Sequence, residues 1–183
     1  MEKVKNDKEK TMDKELVKRK VKRAIDKLIE NDEFLLQNDV YERSITHKLA
    51  EYLQQEFIYW TVDCEYNRNM DGEDVNDRKK RLKVLKQIKH NNDKYKDTDI
   101  EGTTIYPDII IHQRGYNNTN LLVIEVKKSN SNIATKDYDI HKLEELTKKP
   151  YKYKNTLFIE FHVGDEYKKE QPYILDWDPK INH

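Results

Sequence analysis

The sequence predicts an α/β or α+β domain, a central sheet of four to five strands flanked by helices. Three observations predict it. Two short apolar runs, at residues 106–112 and 121–127, read as buried strands joined by a Gly- and Asn-rich loop of hairpin type. Apolar residues recur at helical spacing before and after that pair, in the order helix, helix, strands, helix, strand. At 183 residues the chain is long enough for one substantial core and short for two.

In chain order, residues 1–12 are charged and nearly without apolar side chains, which reads as a disordered tail before a single domain over 13–183. Val17, Val21, Ala24, Ile25, Leu28 and Ile29 form the stripe of a first helix that Asn31-Asp32 would end. A second helix fits 39–56, with Asp39 as N-cap and Ile45, Leu49, Tyr52 and Leu53 facing inward. At roughly 100° per residue, Glu42 falls within about 20° of Leu49 and Leu53, whereas Glu51 points away and His47 lies off the stripe. Glu56 could join Glu42 from the last turn.

Residues 57–66 (FIYWTVDCEY) are aromatic and β-branched, a first strand on which Val62, Cys64 and Tyr66 share one face and Thr61, Asp63 and Glu65 the other. A basic helical insertion follows at about 67–102, its helix over 77–91 carrying Leu82, Leu85 and Ile88 among the cationic residues from Arg78 to Lys89. That basic cluster fits a solvated helix face or a phosphate-tracking patch equally well. After the strand pair, a third helix opens at Asn132 or Thr135, runs through Ile133, Ile140, Leu143 and Leu146, and closes by Pro150. Residues 156–163 form another strand, and 173–175 a short edge strand.

Bulk properties exclude more than they select. Charged residues make up 38% of the chain, yet Lys+Arg and Asp+Glu both number 35, so net charge names no partner. A single cysteine, Cys64, rules out an internal disulfide framework. No run reaches membrane-spanning length and the N-terminus lacks an apolar signal region, so a soluble, cytoplasmic protein without membrane association is expected.

The chemistry is concentrated in the strand pair. Asp108, Glu125 and Lys127 stand where a plain core strand carries no charge, and burying an unpaired ion costs on the order of several kcal/mol. Glu125 and Lys127, two apart, share a face. If the hairpin closes between His112 and Leu121, antiparallel counting sets Asp108 opposite Glu125, with Cβ atoms about 4.5–5.5 Å apart. Two carboxylates that close repel, and a divalent cation with oxygen ligands relieves the repulsion. Such a site, with Asp108 and Glu125 on Mg²⁺ or Mn²⁺ and Lys127 beside the attacking water, suits phosphodiester hydrolysis.

At Pro107-Asp108 and Glu125-Val126-Lys127 the chain resembles the PD-(D/E)XK, or restriction-endonuclease-like, nuclease superfamily. The resemblance covers about 39–163 and implies a core of helix, three antiparallel strands, helix and strand. It implies that Asp108 and Glu125 bind Mg²⁺, that Lys127 acts on the attacking water, and that Glu42 completes the catalytic set from the preceding helix. The stretches 42–50 and 63–68 are also similar to a group of uncharacterised bacterial proteins. The implied partner is nucleic acid, DNA above all, with a homodimer as one arrangement used by nucleases of this type.

Glu-x-Lys alone is weak, since Glu166-Tyr167-Lys168 also satisfies it; the combination with Pro-Asp, parity and an inward Glu42 gives it value. Two other readings stand beside the nuclease. One is a non-catalytic nucleic-acid- or protein-binding module of the same fold, the other a structural or interaction protein whose charged helices dock onto a partner. The plain reading of Asp108, Glu125 and Lys127 is solvent-exposed charges at strand ends, paired as ordinary surface ions. Glu42 would then serve only as a first-turn acid on the helix dipole.

Overall fold

A computed structural model describes residues 12–66, 81–82, 103–115 and 119–180. Helix α1 spans Lys14–Gln37 and α2 Glu42–Glu56, followed by β1 at Thr61–Cys64. A two-stranded ribbon pairs β2, Arg81–Leu82, with β3, Thr103–Thr104. Then come β4 at Ile109–His112, β5 at Leu122–Lys128, α3 at Ile133–Leu146, β6 at Asn155–Phe161 and β7 at Tyr173–Trp177.

Asp13 starts α1 by accepting the Leu16 amide at 2.7 Å, and Val17, Val21, Ala24, Ile25 and Leu28 are fully buried. Helical geometry breaks at Asp32 (φ −130°, ψ 26°), where Asn31-Asp32 predict an end, and a second short helical segment runs on across that kink to Gln37. Tyr52 Oη donates to the Asp32 carboxylate at 2.6 Å, so the bend is tied to α2. Met12, expected in the tail, is buried in the same core; residues 1–11 lie outside the described residues.

Helix α2 starts at Glu42 rather than Asp39. Asp39 takes a left-handed backbone with φ 46°. Its carboxylate accepts from Lys128 Nζ at 2.8 Å and Asn130 Nδ2 at 2.9 Å. It therefore ties the helix entry to the end of β5, and Tyr41 occupies the N-cap position without a side-chain bond. Ile45, Leu49 and Leu53 are buried as the stripe predicts.

The five-stranded sheet has the order β1-β4-β5-β6-β7. β4 is antiparallel to β1 and β5, β6 is parallel to β5, and β7 is antiparallel to β6. A parallel neighbour needs a crossover, and α3 supplies it. Asn132 caps α3 through the Ala134 amide at 2.7 Å. Ile133, counted in its stripe, is instead 74% exposed.

Strand alternation divides the core. Ile109, Ile111, Ile124 and Val126 pack with α1 and α2, while Ile110, Val123 and Phe158 pack with Leu143 and Leu146 of α3. Each fully buried aliphatic side chain contributes about 1.5–3 kcal/mol, so the helices fix both faces of β5. The helix expected over 77–91 is corrected at its described residues: Arg81–Leu82 is extended and antiparallel to Thr103–Thr104. The remainder of 67–102, with most of the Arg78–Lys89 cluster, lies outside the described residues. Among the described residues no helix is long and apolar enough to cross a membrane.

Candidate functional site

Register comes first. Ile109 faces Ile124 and Ile111 faces Leu122. One step further sets Asp108 opposite Glu125, as hairpin counting predicts. Asp108 sits just before β4, where its Oδ2 accepts the Val126 amide at 2.8 Å. Glu125 is completely buried, and Lys127 follows it on the face that meets α3.

Helix α3 brings two residues that the sequence reading missed. Lys142 Nζ lies 2.6 Å from Glu125 Oε2 and 3.0 Å from Asp139 Oδ1. The other Asp139 oxygen lies 2.8 Å from Lys127 Nζ. Lys127 Nζ also donates to Glu42 Oε1 at 2.9 Å. Glu42 belongs to the helix layer on the opposite face of the sheet, so Lys127 at the strand's end joins the two layers. Ser131 Oγ stands 3.5 Å from the second Glu42 oxygen. A chain of alternating charge results: Glu42, Lys127, Asp139, Lys142, Glu125.

The signal for Asp139 and Lys142 was present. Residues 139, 142, 143 and 146 share one helix face at the i, i+3, i+4, i+7 spacing, and all four are buried. Charged residues inside an apolar stripe are the anomaly that marks Glu125, transposed from strand to helix.

The electrostatics follow from burial. Desolvation pushes Glu125 well above the usual carboxylate range, with Lys142 opposing it and Asp108 adding to it. Desolvation likewise raises Asp108 against the pull of Lys142, the Val126 amide and Lys127. For Lys127, burial works downward, but Asp139 and Glu42 overcome it and hold the ammonium above its ordinary value. Lys142 is raised in the same way, burial being outweighed by Glu125, Asp139 and Asp108.

Other acids and the cleft are readily placed. Glu56 is bound by Arg23 at 2.8 Å and Lys27 at 2.9 Å, away from this cluster. Glu51 pairs with Lys48 on the surface at 2.7 Å. His47 is exposed and stands 3.4 Å from Glu51, yet it also lines a cavity of about 300 Å³ with Glu42, Arg43, Thr46, Cys64, Glu65 and Asp108. This cavity gives access to the Asp108 side of the site. Desolvation and the carboxylates of Asp108, Glu65 and Asp63 push the Cys64 thiol up to about 11, so it stays protonated near neutrality and is a poor nucleophile.

Among the described residues, buried Glu125 Oε1 has no hydrogen-bond partner, although a buried polar atom is normally satisfied. Four carboxylates (Glu42, Asp108, Glu125, Asp139) meet two ammonium groups (Lys127, Lys142), leaving two negative charges when all six are ionised. That balance and the open oxygen suit a divalent cation with oxygen ligands. Among the described residues, no three His, Cys, Asp or Glu side chains converge as a metal-holding set. The two lysines stand between the acids instead.

No family model, curated protein or solved structure matches this chain.

Proposed function

We propose that the protein is a divalent-metal-dependent nuclease that hydrolyses phosphodiester bonds in DNA, built on a restriction-endonuclease-like core. The observation that carries this reading is Asp108 opposed to a buried Glu125 whose Oε1 has no partner among the described residues. Lys127, next on the same strand face, is held between two carboxylates. The order of two helices, three sheet strands each antiparallel to its neighbour (β1, β4 and β5), a crossover helix and a strand parallel to β5 supports the core assignment.

Asp108 and Glu125 would hold Mg²⁺ or Mn²⁺. Such an ion, when bound, polarises a phosphate oxygen and lowers the pKa of a bound water. Asp108 is fixed for this by the Val126 amide. Glu125 is held in place by Lys142 and screened from water by its burial. Lys127 keeps its proton near neutral pH, so it serves as a fixed hydrogen-bond donor and positive charge for the attacking water and the developing phosphorane charge, not as a general base. Glu42 and Asp139 hold that ammonium in place. The cavity bordered by Arg43 and His47 admits the substrate strand to Asp108.

Purified protein is expected to cleave at least one of linear duplex, single-stranded or branched DNA, or RNA, with Mg²⁺ or Mn²⁺. EDTA is expected to abolish cleavage, and Asp108→Ala or Lys127→Ala to reduce it at least about 100-fold. No cleavage across that panel, or unchanged rates in both variants, refutes the reading. A second reading, a nucleic-acid-binding module without catalysis, draws on the two lysines that already neutralise Glu125 and Asp139. Salt-sensitive DNA binding without metal-dependent cleavage would favour it.

A further inference from the structure

A buried ion pair is costly to break because removing one partner strands the other. Lys142 and Glu125 form such a pair: their side chains are 8% and 0% exposed and lie 2.6 Å apart. A metal ion entering at Glu125 would meet that ammonium already in place. Its position offers a way out. On the same turn of α3, Asp139 Oδ1 lies 3.0 Å from Lys142 Nζ, and the Tyr138 ring centroid is 5.9 Å away, within cation–π range. The lysine stem is flexible, so its head group can leave one carboxylate while keeping the other.

We propose that Lys142 is the resident counter-cation of Glu125, that a divalent ion displaces it from that carboxylate, and that Asp139 is the seat on which the displaced ammonium stays paired. The proposal rests on the reading of Asp108 and Glu125 as the metal-holding pair. It accounts for two features together. Among the described residues the acids form no open three-ligand set, and Lys142 occupies the Glu125 side of the cluster. With all six groups ionised, the excess of two negative charges nevertheless remains for a dication once Lys142 withdraws to Asp139. Lys142 and Asp139 are thus positioning residues that set the strength of cation binding.

The test is Mn²⁺ binding by calorimetric titration, together with Tm in EDTA and in Mn²⁺, on full-length wild type, Lys142→Met and Asp139→Asn. Lys142→Met removes the competing charge at similar side-chain length. It is expected to lower Tm in EDTA, to bind Mn²⁺ at least tenfold more tightly, about 1.4 kcal/mol, and to show a larger Mn²⁺-dependent rise in Tm than wild type. Asp139→Asn removes the alternative seat and one negative charge, and is expected to bind Mn²⁺ several-fold more weakly. Wild-type binding that Lys142→Met leaves unchanged or weakens overturns the displacement proposal while leaving the metal reading intact. No Mn²⁺ binding by wild type overturns both. If Lys142→Met folds only when Mn²⁺ is added, the metal is replacing the missing ammonium, as the proposal requires. If it folds under neither condition, Asp139→Asn decides: binding as tight as wild type or tighter overturns the proposal.

Discussion

Asp63 shows how one half-buried acid acquires a pH signature. Its carboxylate lies 2.9 Å from His112 Nε2 and also accepts from Arg114 Nε at 2.9 Å. Burial alone would raise its pKa, but Arg114 and His112 overcome that and hold it below the ordinary carboxylate range. A folded pKa below the unfolded one contributes stability above the unfolded value and loses it as pH falls through the folded value. Wild-type Tm is therefore expected to include an Asp63-dependent fall on acidification below about pH 4. Asp63→Asn is expected to reduce that slope and to cost about 1–3 kcal/mol near neutrality, checked by calorimetric scans from acid to neutral pH. A variant with wild-type stability and slope contradicts this account. Asp108 and Glu125 work in the opposite sense: their pKa values are raised, so their contribution improves as pH falls through those raised values.

At the scale of elements, α3 couples fold to site. Its start is set by Asn132, its core face by Leu143 and Leu146, and its charged contribution by Asp139 and Lys142. Asn132→Ala is expected to cost about 1 kcal/mol and Leu146→Ala about 2–5 kcal/mol, both measured by urea unfolding. A cost for Asn132→Ala as large as that for Leu146→Ala would mean that the cap does more than start the helix. The sequence marked α3 well but misjudged its neighbours for identifiable reasons. Asn31-Asp32 reads as a helix stop because neither residue favours a helix interior, and helical geometry does break at Asp32. Past that kink, which the Tyr52 hydroxyl ties to α2 at 2.6 Å, a further helical segment runs on to Gln37. Asp39 had the composition of an N-cap, but Lys128 and Asn130 recruit its carboxylate. Both outcomes were decided by partners distant in sequence, which local propensity does not weigh.

Across the whole molecule, the legible part of the site was the part that strand geometry determines. A period of two and a short hairpin were enough to set Asp108 against Glu125 and Lys127 beside Glu125. The link from Glu42 to Lys127 was half legible: helix phase aimed Glu42 inward, but nothing local indicated that Lys127 would round the strand end to meet it across the sheet. Asp139 and Lys142 were legible in position, on the helix face of Leu143 and Leu146, but not in role. An i, i+3 Asp–Lys pair reads as a surface pair until a buried glutamate is known to face it.

The central position of β5 has a consequence for biosynthesis. One edge of β5 is covered by β4, which precedes it in the chain, and the other by β6, which follows α3. Asp108, Glu125 and Lys127 therefore leave the ribosome before the strand that closes the sheet around them. A nascent chain that ends at Pro150 carries Glu125 and Lys127 on a strand with one bare edge, whose open N–H and C=O groups invite pairing with other chains. Such a truncated chain is expected to run as aggregate on size exclusion and to show no metal-dependent rise in Tm. A monomeric, metal-responsive fragment would show that the site forms without β6. If β6 is required instead, the pairing that encloses β5 waits for residues 155–161, a delay set by strand order alone.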